Sequence, residues 1–209
     1  MHKKSFQRLI VVAVIAILMN GCATLSKDEC LTADWYAIGY EDGAKGHVAT
    51  RHAEHRKSCA EYKVTPDIQR YLDGRERGLL QFCTSNKGYL YGVNGYHYKG
   101  VCPQHLEADF MHGYLYGKYI FDLEHILNDH NKRLKIYHVQ MRDLRAEIKD
   151  NEKLLVSDHL KKKERIKLLD DIKHLRKDRR HLKRKIHDLN LRVGDVAGEI
   201  EYKKRNFVP

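Results

Sequence analysis

Among the residues of this 209-residue chain, those that could do chemistry are first of all its 14 histidines and 5 cysteines. His47, His52, Glu54 and His55 lie close together, and on a helix His52 and His55 share a face. A metal site needs three or four convergent ligands and an ordered second shell. These four sit in a polar stretch with Arg51, Arg56 and Lys57, which predicts a solvated helix face and no metal. Glu41, Asp42, Asp73 and Glu76 could pair as carboxylates, but on charged helices such residues serve as surface ion-pair partners. There is no HExxH, GxSxG, phosphate-binding loop or dinucleotide fingerprint. The expectation is a chain with no catalytic residue, no metal and no cofactor.

The first cysteine, Cys22, stands apart. Lys3, Lys4 and Arg8 precede an uncharged run from Leu9 to Met19, too short to span a bilayer and of a length that suits a secretory signal. The run ends in Met19-Asn20-Gly21-Cys22, which resembles a bacterial lipobox with Met in place of the usual Leu. That resemblance implies cleavage before Cys22 and its acylation, palmitate included, an anchor for practical purposes permanent. Ala23 after the cysteine implies outer-membrane delivery in Gram-negative sorting, with the chain facing the periplasm. An ordinary signal peptide cut near Ala23 is the alternative. The remaining Cys30, Cys59, Cys83 and Cys102 form an even set in an exported chain, which reads as two disulfides with three possible pairings. No CxxC spacing points to zinc or to redox exchange.

The elements that position these residues are helical. Ile120, Leu123, Leu127, His130, Leu134, Tyr137, Met141, Leu144, Ile148, Asn151 and Leu155 repeat at alternating intervals of 3 and 4. So do Leu168, Ile172, Leu175, Arg179, Leu182, Ile186, Leu189, Val193, Val196 and Ile200. This is the period of a coiled-coil seam, in which His130 reads as a tolerated core residue. Continuing the first seam would bury Asp158, Lys162 and Arg165, so a turn is expected near Ser157 and Asp158, with Ser157 capping the second helix. The two helices then form an antiparallel hairpin; a parallel dimer through the first seam is the alternative. The expected layers are Leu127 with Leu189, Leu134 with Leu182, Met141 with Leu175, Leu144 with Ile172 and Ile148 with Leu168. Tyr137 would meet Arg179 and Asn151 would meet Arg165.

Ahead of the seams, Tyr36-x-x-Gly39-x-x-x-Gly43, Tyr71-x-x-Gly74-x-x-x-Gly78 and Phe110-x-x-Gly113-x-x-x-Gly117 share one frame. On a helix those glycines make a notch that admits a close neighbour. Thr65-Pro66-Asp67 reads as a helix start with Pro at the first helical position. Asn86 to Gly100, with alternating tyrosines, reads as a loop or short hairpin.

Asp34-Trp35-Tyr36-x-x-Gly39-Tyr40-x-Asp42-Gly43, Cys59, Tyr71-x-x-Gly74-Arg75-x-x-Gly78-Leu79, Cys83 and Gly95-x-x-Tyr98-x-Gly100-Val101-Cys102 together resemble a family of proteobacterial outer-membrane lipoproteins. Its cysteine-containing domain, of unknown function, would cover residues 30 to about 120. The resemblance implies a small secreted helical domain and carries over no activity, cofactor or catalytic residue. The order of the helices selects one cysteine pairing. Cys30 precedes the first glycine helix and Cys59 ends the next, while Cys83 and Cys102 bracket the Tyr-rich loop, so Cys30–Cys59 and Cys83–Cys102 are expected.

The plan is therefore all-α: a signal peptide at 1–21, a disulfide-bonded Tyr/Gly-rich helical domain at 22–117 and a basic coiled-coil hairpin at 118–209. Residues 22–117 carry 11 basic and 12 acidic side chains, and 118–209 carry 25 and 16. The excess concentrates in Leu160 to His187, where Lys161, Lys162, Lys163, Lys173, Arg176, Lys177, Arg180, Lys183, Arg184 and Lys185 all avoid the seam. One basic face and one nearly neutral face are expected. In an exported chain no nucleic acid is expected; the acidic candidates are peptidoglycan, lipopolysaccharide, anionic phospholipid and acidic envelope proteins. The function expected is non-enzymatic scaffolding or envelope contact by the hairpin. The alternative is a glycan- or peptide-binding module using the Tyr/Gly face.

Overall fold

The structure, a computed structural model, describes residues 24–209; the segment expected to be a signal peptide and the expected acylation site Cys22 lie outside the described residues. These residues form helices α1 (Lys27–Leu31), α2 (Trp35–Ala44), α3 (Arg51–Cys59), α4 (Ile68–Phe82), α5 (Ser85–Val93), α6 (Gln104–Leu155) and α7 (Lys162–Arg205). There is no strand among the described residues. They divide into two units, one of residues 24–91 and Tyr96–Leu115, the other of Gly92–Gly95 and Tyr116–Pro209. Helix α6 contributes to both.

In the first unit the helix starts are written locally. The Asp34 carboxylate accepts from the Tyr36 and Ala37 amides, and Asp67 accepts from Arg70 N at 3.0 Å. Asp67, not Pro66, is thus the boundary of α4, and Pro66 precedes the cap. The glycine frame then sets the packing. A Cβ on Gly39 would lie 2.0 Å from the Tyr71 carbonyl oxygen, and one on Gly74 would lie 2.0 Å from that of Tyr36. Gly43 and Gly78 meet Arg75 and Tyr40 in the same reciprocal way one turn later, so α2 and α4 run side by side in the same direction.

Helix α5 corrects the expectation of a loop or short hairpin from Asn86 to Val93, while Asn94 to Gly100 is loop as expected. Tyr89 and Tyr91 alternate as in a strand, but Gly88-Tyr89-Leu90-Tyr91-Gly92 duplicates Gly113-Tyr114-Leu115-Tyr116-Gly117 residue for residue. Gly88 backs onto the Phe110 carbonyl, and Gly113 onto that of Ser85. The segment is therefore a fourth glycine helix, with Ser85 where the other three have an aromatic residue. The glycine helices pair as α2 with α4 and α5 with α6.

The disulfides join Cys30 to Cys59 and Cys83 to Cys102, with Cα–Cα separations of 5.4 and 5.6 Å, as the helix order predicts. Each sits in its own core. Cys30, Trp35, Cys59 and Tyr71 form one. Leu79, Phe82 and Phe110 pack around the second disulfide in the other, where Tyr98 lies 4.6 Å and Phe82 5.1 Å from the Phe110 ring.

In the second unit α6 and α7 form the antiparallel hairpin within one chain. Every residue of both predicted seams is buried or half-buried. The turn is longer than predicted and Ser157 does not cap α7, which begins at Lys162. Lys161 N instead donates to the Glu164 carboxylate at 2.9 Å. The Arg165 guanidinium reaches back to the carbonyls of Leu155 and Ser157, satisfying the open end of α6.

The layer pairing also differs from expectation. With Leu155 and Ile148 at a and Leu175 and Leu182 at d, Glu152, Arg176, Glu124 and Lys204 are all e positions, and Tyr119 and Glu199 are g positions. Glu152 pairs with Arg176 at 2.6 Å, Glu124 with Lys204 at 2.7 Å and Tyr119 OH with Glu199 at 2.6 Å. These like-position pairs fit a register in which Met141 faces Leu182, Ile148 faces Leu175 and Leu123 faces Ile200. Leu182 accordingly shares a groove with Gln140, Leu144 and Glu147, not with Leu134. The hairpin is one heptad out from the predicted layers because the six-residue turn takes residues that the prediction gave to helix. Tyr137 with Arg179 and Asn151 with Arg165 are consequently not layers.

Candidate functional site: a buried polar network and a two-faced hairpin

Two groups of polar residues stand out, one in each unit. The first is buried. Asp42, 6% exposed, receives Tyr71 OH at 2.7 Å and Arg51 Nε at 3.2 Å. His55 Nε2 lies 2.8 Å from the same carboxylate. A carboxylate only accepts, so Nε2 carries a proton. The other ring nitrogen lies 2.8 Å from Thr24 Oγ1, and Thr24 is held again by Ser58 Oγ, 3.0 Å from its amide. Burial alone would raise the Asp42 carboxyl. The hydrogen bonds from His55 and Tyr71, with the charges of His55 and Arg51, outweigh that and hold it below the ordinary carboxylate range. Burial and the neighbouring carboxylate push the Tyr71 phenol well above its usual value. Burial, then the Arg51 charge, lowers the His47 imidazole. Arg75, whose own pKa burial lowers, donates through Nε and Nη2 to the His47 carbonyl at 3.1 and 2.8 Å.

This network corrects two expectations. His55, 2% exposed, is no part of a solvated face, and Asp42 is no surface ion-pair partner. Both turn inward because the glycine contact at Gly43 brings α2 against α4, leaving Asp42 beside Tyr71. The available signal was Asp42's place next to a notch glycine. No group of three or more His, Cys, Asp or Glu residues among the described residues could hold a metal. The network's polar atoms satisfy one another, so its chemistry is cohesion, and it fastens Thr24, two residues beyond Cys22, to α3.

The second group is exposed and lies on the hairpin. In the observed register the b and e positions of both helices form one face. Between Lys135 and Lys183 that face carries Lys135, Arg142, Arg145, Lys149, Lys162, Lys173, Arg176, Arg180 and Lys183, all exposed, against the single acid Glu152. The c and g positions form the opposite face, with Asp143, Glu147, Asp150, Glu164, Asp171, Asp178 and Asp188 against Lys167 and Lys185. A groove on that side is lined by Asp143, Glu147, Asp178, His181 and Lys185 over Leu144 and Leu182.

All ten basic residues singled out in the sequence are exposed. Five of them, Lys162, Lys173, Arg176, Arg180 and Lys183, belong to the basic face. Lys163, Lys177 and Arg184 occupy the outermost f positions, Lys161 lies in the turn, and Lys185 falls on the acidic side. Sequence reasoning missed Lys135, Arg142, Arg145 and Lys149. Taken whole, α6 has mixed charge, and only the heptad position sorts its signs. The second face is accordingly acidic, not nearly neutral. Such a surface can concentrate anions on one side and repel them on the other.

Residues 34–119 match a family described as Protein of unknown function (DUF2799). No curated protein and no solved structure matches the chain. The matched segment covers α2 to α5 and the start of α6, with all four glycine frames, and stops short of the charged faces.

Proposed function

We propose that this chain is a lipoprotein anchored through Cys22 in the bacterial outer membrane, facing the periplasm, with a non-enzymatic role in envelope contact. Its hairpin holds an anionic envelope component by the b/e face. The observation that carries this reading is the segregation of charge by heptad position: nine exposed bases share one face with one acid. Peptidoglycan carboxylates, lipopolysaccharide phosphates and acidic envelope proteins all offer the matching charge. Attraction of this kind weakens with salt, since the Debye length falls from about 10 Å at 0.1 M to about 3 Å at 1 M.

The glycan- or peptide-binding alternative has less to draw on. The glycine notches at Gly39, Gly74, Gly88 and Gly113 are filled by neighbouring helix backbones, and Tyr71 is fully buried.

The test is co-sedimentation of residues 22–209 carrying Cys22→Ser with purified sacculi and with lipopolysaccharide. Binding should fall when Arg142, Arg145, Lys149, Lys173, Arg180 and Lys183 become Gln. Changing Lys161, Lys163, Lys177, Arg184 and Lys185 to Gln should matter less. Equal loss from both sets would reduce the face to bulk charge, and no binding by the parent chain would overturn the reading. Anchoring is tested separately: incorporation of labelled palmitate should disappear in Cys22→Ser.

A further inference from the structure

The basic face is not uniformly charged. At its turn end it carries Ile166 and Leu169, which are 59 and 52% exposed, and the adjoining turn carries Val156, which is 78% exposed. Ile166 and Leu169 are neighbours one turn apart on α7, at b and e. Val156 follows the last residue of α6 at the same end. Scattered exposed apolar residues occur on any protein, and Ile126, Ile136 and Leu191 on this hairpin are such cases. A pair on the face richest in bases, with Val156 in the adjoining turn and Lys149, Lys162 and Lys173 on the same face, is a different pattern, and Leu154 is the exposed apolar residue on the other face at this end.

We propose that this end of the hairpin docks on a phospholipid bilayer with anionic headgroups, the three apolar side chains entering the interface while the surrounding bases meet the phosphates. The proposal rests on the reading of the basic face as an anion-binding surface and names its partner. A carboxylate polymer or an acidic protein surface satisfies the lysines and arginines but gives the apolar trio nothing to enter. A bilayer satisfies both, because apolar insertion and headgroup attraction add at the interface. The acidic c/g face fixes the orientation: an anionic membrane repels it, so the hairpin can lie down on one side only.

The experiment uses residues 22–209 with Cys22→Ser and flotation with vesicles of phosphatidylcholine alone or mixed with phosphatidylglycerol. The parent chain should float with the mixed vesicles and remain behind with the neutral ones. Val156→Ser, Ile166→Ser and Leu169→Ser together should weaken that partition about tenfold or more, by loss of three apolar groups from the interface. Because all three are exposed, circular dichroism and thermal unfolding should match the parent. The Ile166→Trp variant should retain binding, and its added emission, read as the difference from the parent with its buried Trp35, should shift to the blue with mixed vesicles. Unchanged partition of the triple variant, an added emission that does not shift, or equal flotation with neutral vesicles would each overturn the proposal. If the triple variant still sediments with sacculi and both it and the parent float alike, the bilayer proposal fails while the basic-face reading stands. If the parent binds neither sacculi, lipopolysaccharide nor mixed vesicles, both fail.

Discussion

The two units are both built from paired helices, yet they are held together in opposite ways. In the first unit the helices meet backbone to backbone at glycines, around a buried carboxylate and two disulfides. In the second they meet through seam layers that are mostly aliphatic, with half-buried His130, Tyr137, Asn151 and Arg179 as the polar members. Backbone contact leaves no room for adjustment, so each position in the first unit is individually necessary. A coiled-coil seam spreads the same task over some twenty residues that can repack around a change. The first unit should therefore be fragile at points, and the hairpin tolerant.

The sharpest break is Gly39→Val. Any Cβ there falls on the Tyr71 carbonyl, and neither helix can yield without losing the reciprocal contact at Gly74. A loss of more than about 4 kcal/mol is expected, enough to unfold the first unit, while the far-ultraviolet signal of the hairpin persists. Proteolysis confined to the segment before residue 116 would report it.

Next comes Asp42. Removing it as Asp42→Ala leaves His55, Tyr71 and Arg51 without their common acceptor, at about 3–5 kcal/mol by analogy with broken buried pairs. The carboxyl titrates below its unfolded value of about 3.9, so its contribution is present above that pH and is lost as pH falls through the folded value. The Tyr71 phenol is shifted the other way. Its contribution is present below the unfolded value of about 10 and fades as pH rises beyond it. The first unit should thus lose stability on both flanks; Asp42→Asn should flatten the acid flank and, by removing the carboxylate that helps raise the Tyr71 phenol, reduce the alkaline one to the part that burial causes. Thermal melts from pH 2 to pH 11 would separate the two. Replacing Cys30 and Cys59 together with Ser should cost about 3 kcal/mol, from the freed loop between them.

The same contrast explains what the sequence made legible. The seams, the all-α class, the cysteine pairing and the absence of Pro or Gly through most of the hairpin can be read directly, because period and order along the chain are what sequence displays. Helix α5 was hidden by alternating tyrosines and by Ser85 in the aromatic slot of the glycine frame. The Asp42–His55–Tyr71 network joins residues 13 and 29 positions apart, and its one local sign is Asp42 beside the notch glycine Gly43. The charged faces were hidden for another reason. The sign of each residue is plain, but which residues of α6 stand beside which of α7 depends on the turn, and the turn is where periodicity stops.

Hairpin glycines give the counterpart to Gly39. A Cβ on Gly194 or Gly198 would meet nothing within 4 Å. Both lie inside α7, where glycine is about 1 kcal/mol worse than alanine. Gly194→Ala should stabilise the hairpin by about that amount, the opposite sign to the first unit for the same class of substitution. Chemical denaturation followed by circular dichroism would show the midpoint rise.

The smallest effect carries the most information about register. Glu152 and Arg176 are both about half exposed, so their 2.6 Å pair contributes about 0.5 kcal/mol after solvent screening. Glu152→Arg should destabilise the hairpin by a similar amount, since it brings like charges together on a face already crowded with bases. Adding Arg176→Glu should restore it, because the reversed pair has the same geometry. In the register predicted from the seams alone, the e position beside Glu152 would be Leu169, one heptad along α7 from Arg176, or about 10 Å at 1.5 Å per residue. No ion pair could then span that gap, and the two substitutions would come close to adding. A double-mutant cycle at low salt, repeated near 1 M salt where the Debye length is about 3 Å, decides between them. Coupling that appears at low salt and fades at high salt supports the observed layers and, with them, the sorting of bases and acids onto separate faces. Strict additivity at both would put the layers, and the faces, back in question.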